Sequence, residues 1–482
     1  MRLTLTLLVV AAAVSLSAQA PDRSKPPVSG PPPALKVPTI QKQQLSNGLP
    51  VWVVEQHEVP VAQVNLVVLS GSADDPSGKY GVASLAASML MEGAGSRSAL
   101  ELADAIDFLG ADLTTGSASD LSAVRLHAPV ARLADALPIM ADVAQRPLFA
   151  QPDLDRLRQQ RLTSIVQARD DPNTIAALAY ARVLYGSAHR FGTATMGTAD
   201  TLRGFTTADL RAFYAAAFRP DNATLIVVGD VAPATVVPLL EKSFGGWTRP
   251  AGAALAHVKQ PLPPARARRE VYLVDKAGAP QSQVRIGLVG VPRSTPDYFP
   301  IQVMNTIFGG SFSSRLNLNL REKHGYTYGA NSFFDMRLEP GPFTAFAGVQ
   351  TDKTAESLKE FFNEFAGIVQ PVPADELDRA KNYVALGLPG DFETTGDISR
   401  RLEDALVYRL PDDYFSRYVQ NIEAVTAADV QRVARAYLQA DRLAVVIVGD
   451  RAVIEPGVRA LNLGPITVLT IDQIFGPPPA AR

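Results

Sequence analysis

The opening third of the chain changes from strand-like to helix-like apolar spacing. A turn signal at Asn47-Gly48 precedes an apolar run within 45–54, and a second run follows at 63–69. Both have the composition of β-strands. Apolar positions then recur at helical spacing in 84–91 and 100–109. Strands that are followed by helices, with antiparallel hairpin signals, predict an α+β fold in which helices cover a mainly antiparallel sheet.

An internal repeat extends this pattern to the second half. Residues 206–230 align without gaps on residues 426–450, at a constant offset of 220 positions. Each copy predicts a helix that starts at a threonine with an aspartate three residues later, then a buried strand that ends in Gly-Asp. A single helix–strand unit can align by chance, but the constant offset and the matching ends favour duplication. The chain is therefore predicted to contain two similar domains.

The joint between these domains is predicted at 249–269, which is rich in proline and ends in the basic cluster Arg266–Arg269. This composition is typical of an exposed linker. The basic cluster is interpreted as a solvated face, with anion binding as the alternative. The domains then span 41–248 and 270–471, and a tail covers 472–482.

The N-terminus has the pattern of a secretion signal. Arg2 precedes an apolar stretch, and Ala18-Gln-Ala20 has the small residues of a cleavage site. We predict a signal peptide at 1–20 and a proline-rich tether at 21–40; an uncleaved anchor is the alternative. The chain has no cysteine, so disulfides and lipid attachment through cysteine are excluded. A periplasmic location in a Gram-negative bacterium is expected, and secretion further out stays open.

Composition narrows the class of protein further. The chain has 482 residues, of which 20% are charged, and a net charge of −2. This balance gives no indication of binding to nucleic acid or to an anionic membrane. With 47% hydrophobic residues, the chain can bury large cores.

The segment from Gly81 to Gly93 resembles the zinc-binding helix of the insulinase (pitrilysin-like) metallopeptidases, whose pattern is G-x-A-H-x-x-E-H. Ser84 and Ser88 stand where this family has its two histidine ligands, and Ala87 stands where it has the glutamate base. Histidines four residues apart share a helix face and can bind one zinc ion, and the glutamate would activate the metal-bound water. Serine is a poor zinc ligand, and alanine accepts no proton.

The resemblance also implies a third ligand, a glutamate on a later helix. The matching stretch is Arg158–Val166, which has Thr163 or Ser164 at that position. All ligands and the base are therefore missing together. We predict that this chain binds no metal and no other cofactor.

The second half carries the other part of the resemblance. Residues 309–316 lead into 320–329, and together they resemble a motif of the family's C-terminal domain. In the family, an arginine and a tyrosine seven residues later face the active site, hold the peptide and stabilise the oxyanion. Arg321 and Tyr328 match them, and the spacing favours Tyr328 over Tyr326. The alternative is an ordinary surface arginine and a half-buried tyrosine.

The remaining polar candidates are interpreted as structural. No two of the five histidines (His57, His127, His189, His257, His324) are close enough in sequence to form a local metal pair. His189 is predicted to pack and His324 to be exposed. The adjacent carboxylates Asp74-Asp75 and Asp170-Asp171 are interpreted as solvated loop residues.

The resemblance covers roughly residues 41–470 and implies a function shared between two chains. Members with two domains work in pairs that close like a clam shell around a peptide, and in some pairs one chain binds zinc while the other contributes the arginine and the tyrosine. The resemblance therefore implies that this chain is half of a clam shell. It would be the non-zinc subunit of a heterodimeric peptidase, with a zinc-bearing homologous subunit as partner and a peptide as substrate. The alternatives are a catalytically inactive peptide-binding or assembly protein and a homodimer with an unusual site.

Overall fold

The computed structural model describes residues 38–252, 255 and 257–478. These residues form two six-stranded sheets covered by helices, which confirms the predicted α+β class. The predicted signal peptide, and the tether up to residue 37, lie outside them. No helix of the described part has both the length and the hydrophobicity needed to cross a bilayer.

The strands are β1 (Gln41–Gln44), β2 (Pro50–Glu55), β3 (Val61–Val68), β4 (Gly93–Ala94), β5 (Arg97–Ser98), β6 (Asp112–Ser117), β7 (Ser122–Pro129), β8 (Ala223–Gly229), β9 (Glu270–Asp275), β10 (Gln281–Val289), β11 (Thr327–Phe334), β12 (Pro342–Gln350), β13 (Ala444–Gly449) and β14 (Ile466–Leu469). The helices are α1 (Val82–Met89), α2 (Ala99–Phe108), α3 (Leu133–Gln145), α4 (Gln151–Ala168), α5 (Pro172–Tyr185), α6 (Ala199–Gly204), α7 (Thr207–Ala217), α8 (Pro233–Phe244), α9 (Tyr298–Phe308), α10 (Arg315–Asn317), α11 (Thr354–Ile368), α12 (Ala374–Gly387), α13 (Thr395–Val407), α14 (Tyr418–Glu423), α15 (Ala427–Tyr437), α16 (Arg451–Ala460) and α17 (Ile471–Phe475).

The two sheets repeat one topology. The first has the order β1-β2-β8-β3-β7-β6 and the second the order β11-β12-β10-β13-β9-β14. Reading the second order in reverse, β9-β13-β10-β12-β11 matches β2-β8-β3-β7-β6. In the first half β8 lies parallel to β2, and in the second half β13 lies parallel to β9. The other neighbouring strands in these two matching sets are antiparallel.

The predicted helix starts of the repeat are present. The Thr206 hydroxyl accepts a hydrogen bond from the Asp209 backbone N–H (3.2 Å), and the Asp209 carboxylate accepts one from the Thr206 backbone N–H (2.9 Å). Thr426 and Asp429 do the same at the start of α15. These reciprocal bonds satisfy donors that a helix end leaves without partners, so the sequence sets both helix starts locally.

The two halves exchange helices. One face of the second sheet, with Val274, Ala444 and Val446, is buried in the core of the first half, and α5 packs against β10 and β13 there. Helix α13 of the second half covers the face of the first sheet that points away from the core of the first half. Ile398 and Leu402 of this helix pack on the strands there. Each sheet is therefore covered partly by a helix from the other half, and the two halves share buried apolar surface.

Polar contacts fix the helix α13 on the first sheet. The buried Glu403 carboxylate accepts two hydrogen bonds from Arg125 (2.9 and 2.7 Å) and one from the Asn65 side chain (2.8 Å). On α5, the Tyr180 hydroxyl donates to the backbone carbonyl of Phe343 in the second sheet. Buried charges are tolerated when they are paired and hydrogen-bonded, as Glu403 is.

The connection between the halves is not a free linker. The Val258 backbone N–H donates to Asp74 (3.0 Å), and the Gln260 side chain donates to the Ala73 carbonyl (3.1 Å). The prediction of a solvated basic cluster was wrong for two of its members. Arg266 pairs with Glu270, and the Arg269 guanidinium lies 4.3 Å from the centre of the Phe362 ring. Both arginines gain partners because the second sheet begins directly after the cluster.

His257, within this connection, makes the stability of the joint depend on pH. Its Nδ1 lies 2.9 Å from the buried Asp74 carboxylate, and this hydrogen bond raises the pKa of His257. The resulting stabilisation is complete below the pKa of an unfolded histidine, about 6.5, and is lost as the pH rises through the folded value. We expect the melting temperature to fall as the pH rises above about 6.5, and to fall less in His257→Gln. His127→Gln, at an exposed histidine, is the matched control; an equal pH response in His257→Gln would contradict the assignment.

Candidate functional site

The helix α1, which resembles a zinc helix, keeps its structural frame. It begins after Gly81, whose φ of +105° suits glycine, and a Cβ there would lie 2.5 Å from the Met196 carbonyl oxygen. The Asp75 carboxylate accepts hydrogen bonds from the backbone N–H groups of Gly81 (2.7 Å) and Ala83 (2.9 Å). A negative charge at a helix start is favourable, so Asp75 fixes where the helix begins.

Asp75 also forms a buried ion pair, so the interpretation of Asp74-Asp75 as solvated loop residues was wrong. The two aspartates are 1% and 2% exposed. The Arg190 guanidinium, itself buried, lies 3.0 Å from the Asp75 carboxylate and donates to the Ser72 carbonyl (2.5 Å). The carboxylates turn inward because tertiary partners there satisfy them, and a loop sequence does not reveal such partners.

The Ser88 hydroxyl on α1 is already hydrogen-bonded. Ser84 and Ser88 are partly buried on one face of the helix, and Ser88 Oγ donates to the Ser84 carbonyl (3.1 Å). Ala87 is 1% exposed, and its carbonyl accepts a hydrogen bond from Thr115 Oγ1 (2.7 Å). The face that would present two imidazoles and a carboxylate therefore presents hydroxyls and a methyl group.

A guanidinium group lies against this face. Arg161 Nη2, from α4, donates to the Ser84 carbonyl (2.9 Å) and to Ser88 Oγ (2.8 Å). Its Nη1 atom is buried without a hydrogen-bond partner in the described part, and burial lowers the pKa of Arg161 to about 10. Arg161 lies within the stretch Arg158–Val166, and nothing in the sequence distinguishes it from the neighbouring arginine. A positive charge thus replaces the metal ion on the helix where the family has its ligands.

The structure decides between the two candidates for the third ligand position. Ser164 is three residues after Arg161 and shares its helix face, whereas Thr163 is exposed. Both hydroxyls bond to carbonyls of their own helix, Thr163 to Gln159 (3.0 Å) and Ser164 to Gln160 (3.1 Å). Ser164 is therefore the position at which a third zinc ligand would have to stand.

These residues do not fit zinc. Hydroxyls are poor ligands, and a guanidinium cannot be deprotonated in a protein and repels a cation. Within the described ranges, no three histidine, aspartate or glutamate side chains are placed to share a metal ion.

We expect the purified chain to contain far less than one zinc per molecule after dialysis against a zinc buffer. The reason is that the Arg161 guanidinium repels a cation and that α1 provides no imidazole ligand. Inductively coupled plasma mass spectrometry measures the ratio directly. One tightly bound zinc ion per chain would refute the interpretation.

The predicted site residues of the second half are exposed on neighbouring segments. Arg321 lies in a π-helical turn (Leu318–Lys323) that continues α10, and its guanidinium is 4.7 Å from the centre of the Phe312 ring. Tyr328 lies in β11 beside a β-bulge and is 88% exposed. A bulge redirects side chains away from the regular strand, and π-helical turns often occur at functional sites. Both side chains are available to an external ligand.

The neighbouring aromatic residues behave differently. Tyr326 is partly buried and stacks on His324, with ring centroids 5.0 Å apart. The prediction of an exposed His324 was wrong, because this stacking half-buries the ring and its Nε2 atom. His189 packs as predicted: its ring stacks on Tyr185, and its Nδ1 accepts the Phe191 backbone N–H (3.0 Å).

Two family models match the chain. The insulinase (peptidase family M16) model matches residues 51–189, and the model described as the peptidase M16 inactive domain matches residues 204–384. An uncharacterized zinc protease from Streptomyces coelicolor is 26% identical over 82% of this chain and 87% of its own length.

Solved structures share the fold. A crystal structure of a peptidase M16 inactive domain from Pseudomonas fluorescens matches with a TM-score of 0.78 and 28% identity, over 85% of this chain and 98% of that one. A protease from Helicobacter pylori matches with a TM-score of 0.79 and 21% identity, over 86% of this chain and all of that one.

Proposed function

Since the chain belongs to the insulinase family of peptidases, peptidase family M16, we propose that it is the non-zinc subunit of a heterodimeric peptidase. A homologous partner chain would carry the zinc ion and the general base. This chain would contribute Arg321 and Tyr328 to the bound peptide. We further propose that the pair works in the periplasm, after export directed by residues 1–20.

The observation that carries the proposal is the contrast between the two halves. On α1 the ligand positions hold serines, and Arg161 occupies their face. On the second half, Arg321 and the nearly fully exposed Tyr328 present donors at the surface, and the Arg321 guanidinium pairs with the exposed Glu322 carboxylate at 3.1 Å. A chain that has lost the metal-binding face but keeps both donors accessible suits a division of labour between two chains.

The chemistry asked of the second half is simple. An arginine gives charge-assisted hydrogen bonds and a phenol gives a neutral one. Donors placed where negative charge develops on a carbonyl oxygen stabilise the transition state more than the ground state.

The test is reconstitution with a homologue from the same organism that has an intact H-x-x-E-H helix. We expect each chain alone to leave an unfolded peptide uncut and the mixture to cleave it. Affinity capture from the periplasm, with this chain as bait, should recover the same homologue. Capture of an unrelated assembly, together with an inactive mixture, would favour the alternative of an inactive peptide-binding or assembly protein.

A further inference from the structure

A cavity of about 550 Å³ lies where the two halves meet. Its walls come from the exchanged helices α5 and α13, from the turn between β6 and β7, and from the turn between β11 and β12. Further walls come from α4, from the segment 190–199 and from Ile474 and Phe475 of α17. No residue of α1 and no residue of the Arg321–Tyr328 segment lines this space.

Most charges that line the cavity are neutralised in pairs. Arg190 lies 3.0 Å from Asp75, Arg337 lies 2.5 Å from Asp335, and Asp404 lies 3.5 Å from Arg401. Such pairing is what buried charges require. Two further charged residues of the lining, Asp120 and Arg182, form no ion pair with any residue of the described part.

Asp120 is the unpaired acid. It is 5% exposed, and its Oδ2 atom accepts the Leu338 backbone N–H (3.0 Å), while Oδ1 has no hydrogen-bond partner in the described part. Burial raises the pKa of Asp120, and the charges of Arg337 and His257, which form no ion pair with it, offset this rise only in part. The neighbouring Ser119 hydroxyl is also buried and can donate to the carboxylate, but a carboxylate oxygen accepts more than one hydrogen bond.

Arg182 is the unpaired base. Its Nη1 donates to the Gln473 carbonyl (3.2 Å), while its buried Nε–H has no acceptor in the described part. Burial without an acidic partner lowers the pKa of Arg182. The same cavity is therefore lined by a carboxylate and a guanidinium that form no ion pair with each other or with any other residue of the described part.

We propose that this cavity binds a small zwitterion with an apolar body, such as a free amino acid or a short peptide. The ammonium group pairs with Asp120 and the carboxylate with Arg182. The lining also includes apolar side chains, with Ile165, Leu178 and Val407 as examples. Binding pockets commonly combine such walls with a few polar groups that orient the ligand. The proposal does not depend on the partnership with a zinc-bearing chain.

Because both halves line the cavity, an occupant stabilises their junction. A ligand that binds only the folded chain raises its melting temperature as the ligand concentration rises. The probes are leucine, leucyl-leucine and leucyl-leucyl-leucine at millimolar concentration, measured by calorimetric titration and thermal melting of the whole chain. We expect at least one probe to bind, and N-acetyl-leucyl-leucine amide, which lacks both charges, to bind at least about tenfold more weakly.

Variants locate the site. Asp120→Asn keeps the acceptor for Leu338, and Asp120→Asn and Arg182→Gln should each weaken binding at least about tenfold, with Arg182→Lys intermediate. Asp200→Asn and Arg203→Gln, at an exposed acid and an exposed arginine, should leave it unchanged. Circular dichroism of each variant without ligand checks folding.

Three results would overturn the proposal. The first is that none of the three zwitterions binds, with only ordered water found in the cavity of a crystal soaked in leucyl-leucine. The second is equal binding of the capped peptide. The third is unchanged affinity in both Asp120→Asn and Arg182→Gln.

Discussion

Replacing Arg321 by alanine, or Tyr328 by phenylalanine, is expected to lower the turnover of the reconstituted two-chain peptidase by about 10²-fold. That loss is typical when one donor to a developing oxyanion is removed. Tyr328→Phe deletes one hydroxyl from a side chain that is 88% exposed, so the change should not disturb packing. Steady-state kinetics with a fluorogenic unfolded peptide measures the effect, with the wild-type zinc-bearing chain in each mixture.

Matched controls separate this role from a general surface effect. Tyr383→Phe and Arg379→Ala change an exposed tyrosine and an exposed arginine of α12. Both should leave turnover unchanged, and all four variants should bind the partner with wild-type affinity. A decrease in turnover of less than about twofold for Arg321→Ala and Tyr328→Phe would remove the assignment without affecting the fold.

Rebuilding the metal site is expected to fail while Arg161 remains. Ser84→His, Ser88→His and Ser164→Glu would restore three ligands on the faces that the structure brings together. The guanidinium that contacts residues 84 and 88 would then lie about 5 Å from a bound dication. Repulsion at that distance costs about 6 kcal/mol at an effective dielectric constant of about 20. Part of this cost is avoided if the side chain moves away.

We therefore expect the addition of Arg161→Ala to the rebuilt chain to raise zinc affinity by about 10³-fold, equivalent to about 4 kcal/mol. Competition with a chromophoric chelator measures both affinities. The control is Arg161→Ala alone, which has no imidazole ligands and should still bind no zinc. Equal affinity of the rebuilt chain with and without Arg161 would show that the guanidinium is not the obstacle.

Features set by local sequence were predictable. The helix starts at Thr206 and Thr426 follow from a threonine and an aspartate three residues apart, and such bonds form within one turn. The buried strands β8 and β13 follow from continuous apolar runs. The side chains at the positions that match the family's two histidine ligands, Ser84 and Ser88, are read directly from the sequence.

Features made by distant segments were not predictable from the sequence. The spacing of apolar residues in α5 and α13 indicates that each segment is a helix with one apolar face. It does not indicate which of the two sheets that face covers. Asp75 was interpreted as a solvated loop residue, and only its buried partner Arg190 shows otherwise. The sequence does not distinguish Arg161 from the other arginines of the polar helix α4. Only the fold shows that it contacts α1.

The amino-acid sequence by itself determined the repeated unit of a capped helix and a buried strand, the side chains at the positions that match the family's zinc ligands, and the positions of Arg321 and Tyr328. These depend on spacing along the chain and on the chemistry of single side chains. Only the tertiary structure decided the exchange of helices, the guanidinium on α1 and the pair of unmatched charges in the cavity. Each of these joins residues far apart in the chain, and burial sets their energy because it removes the water that would otherwise satisfy them.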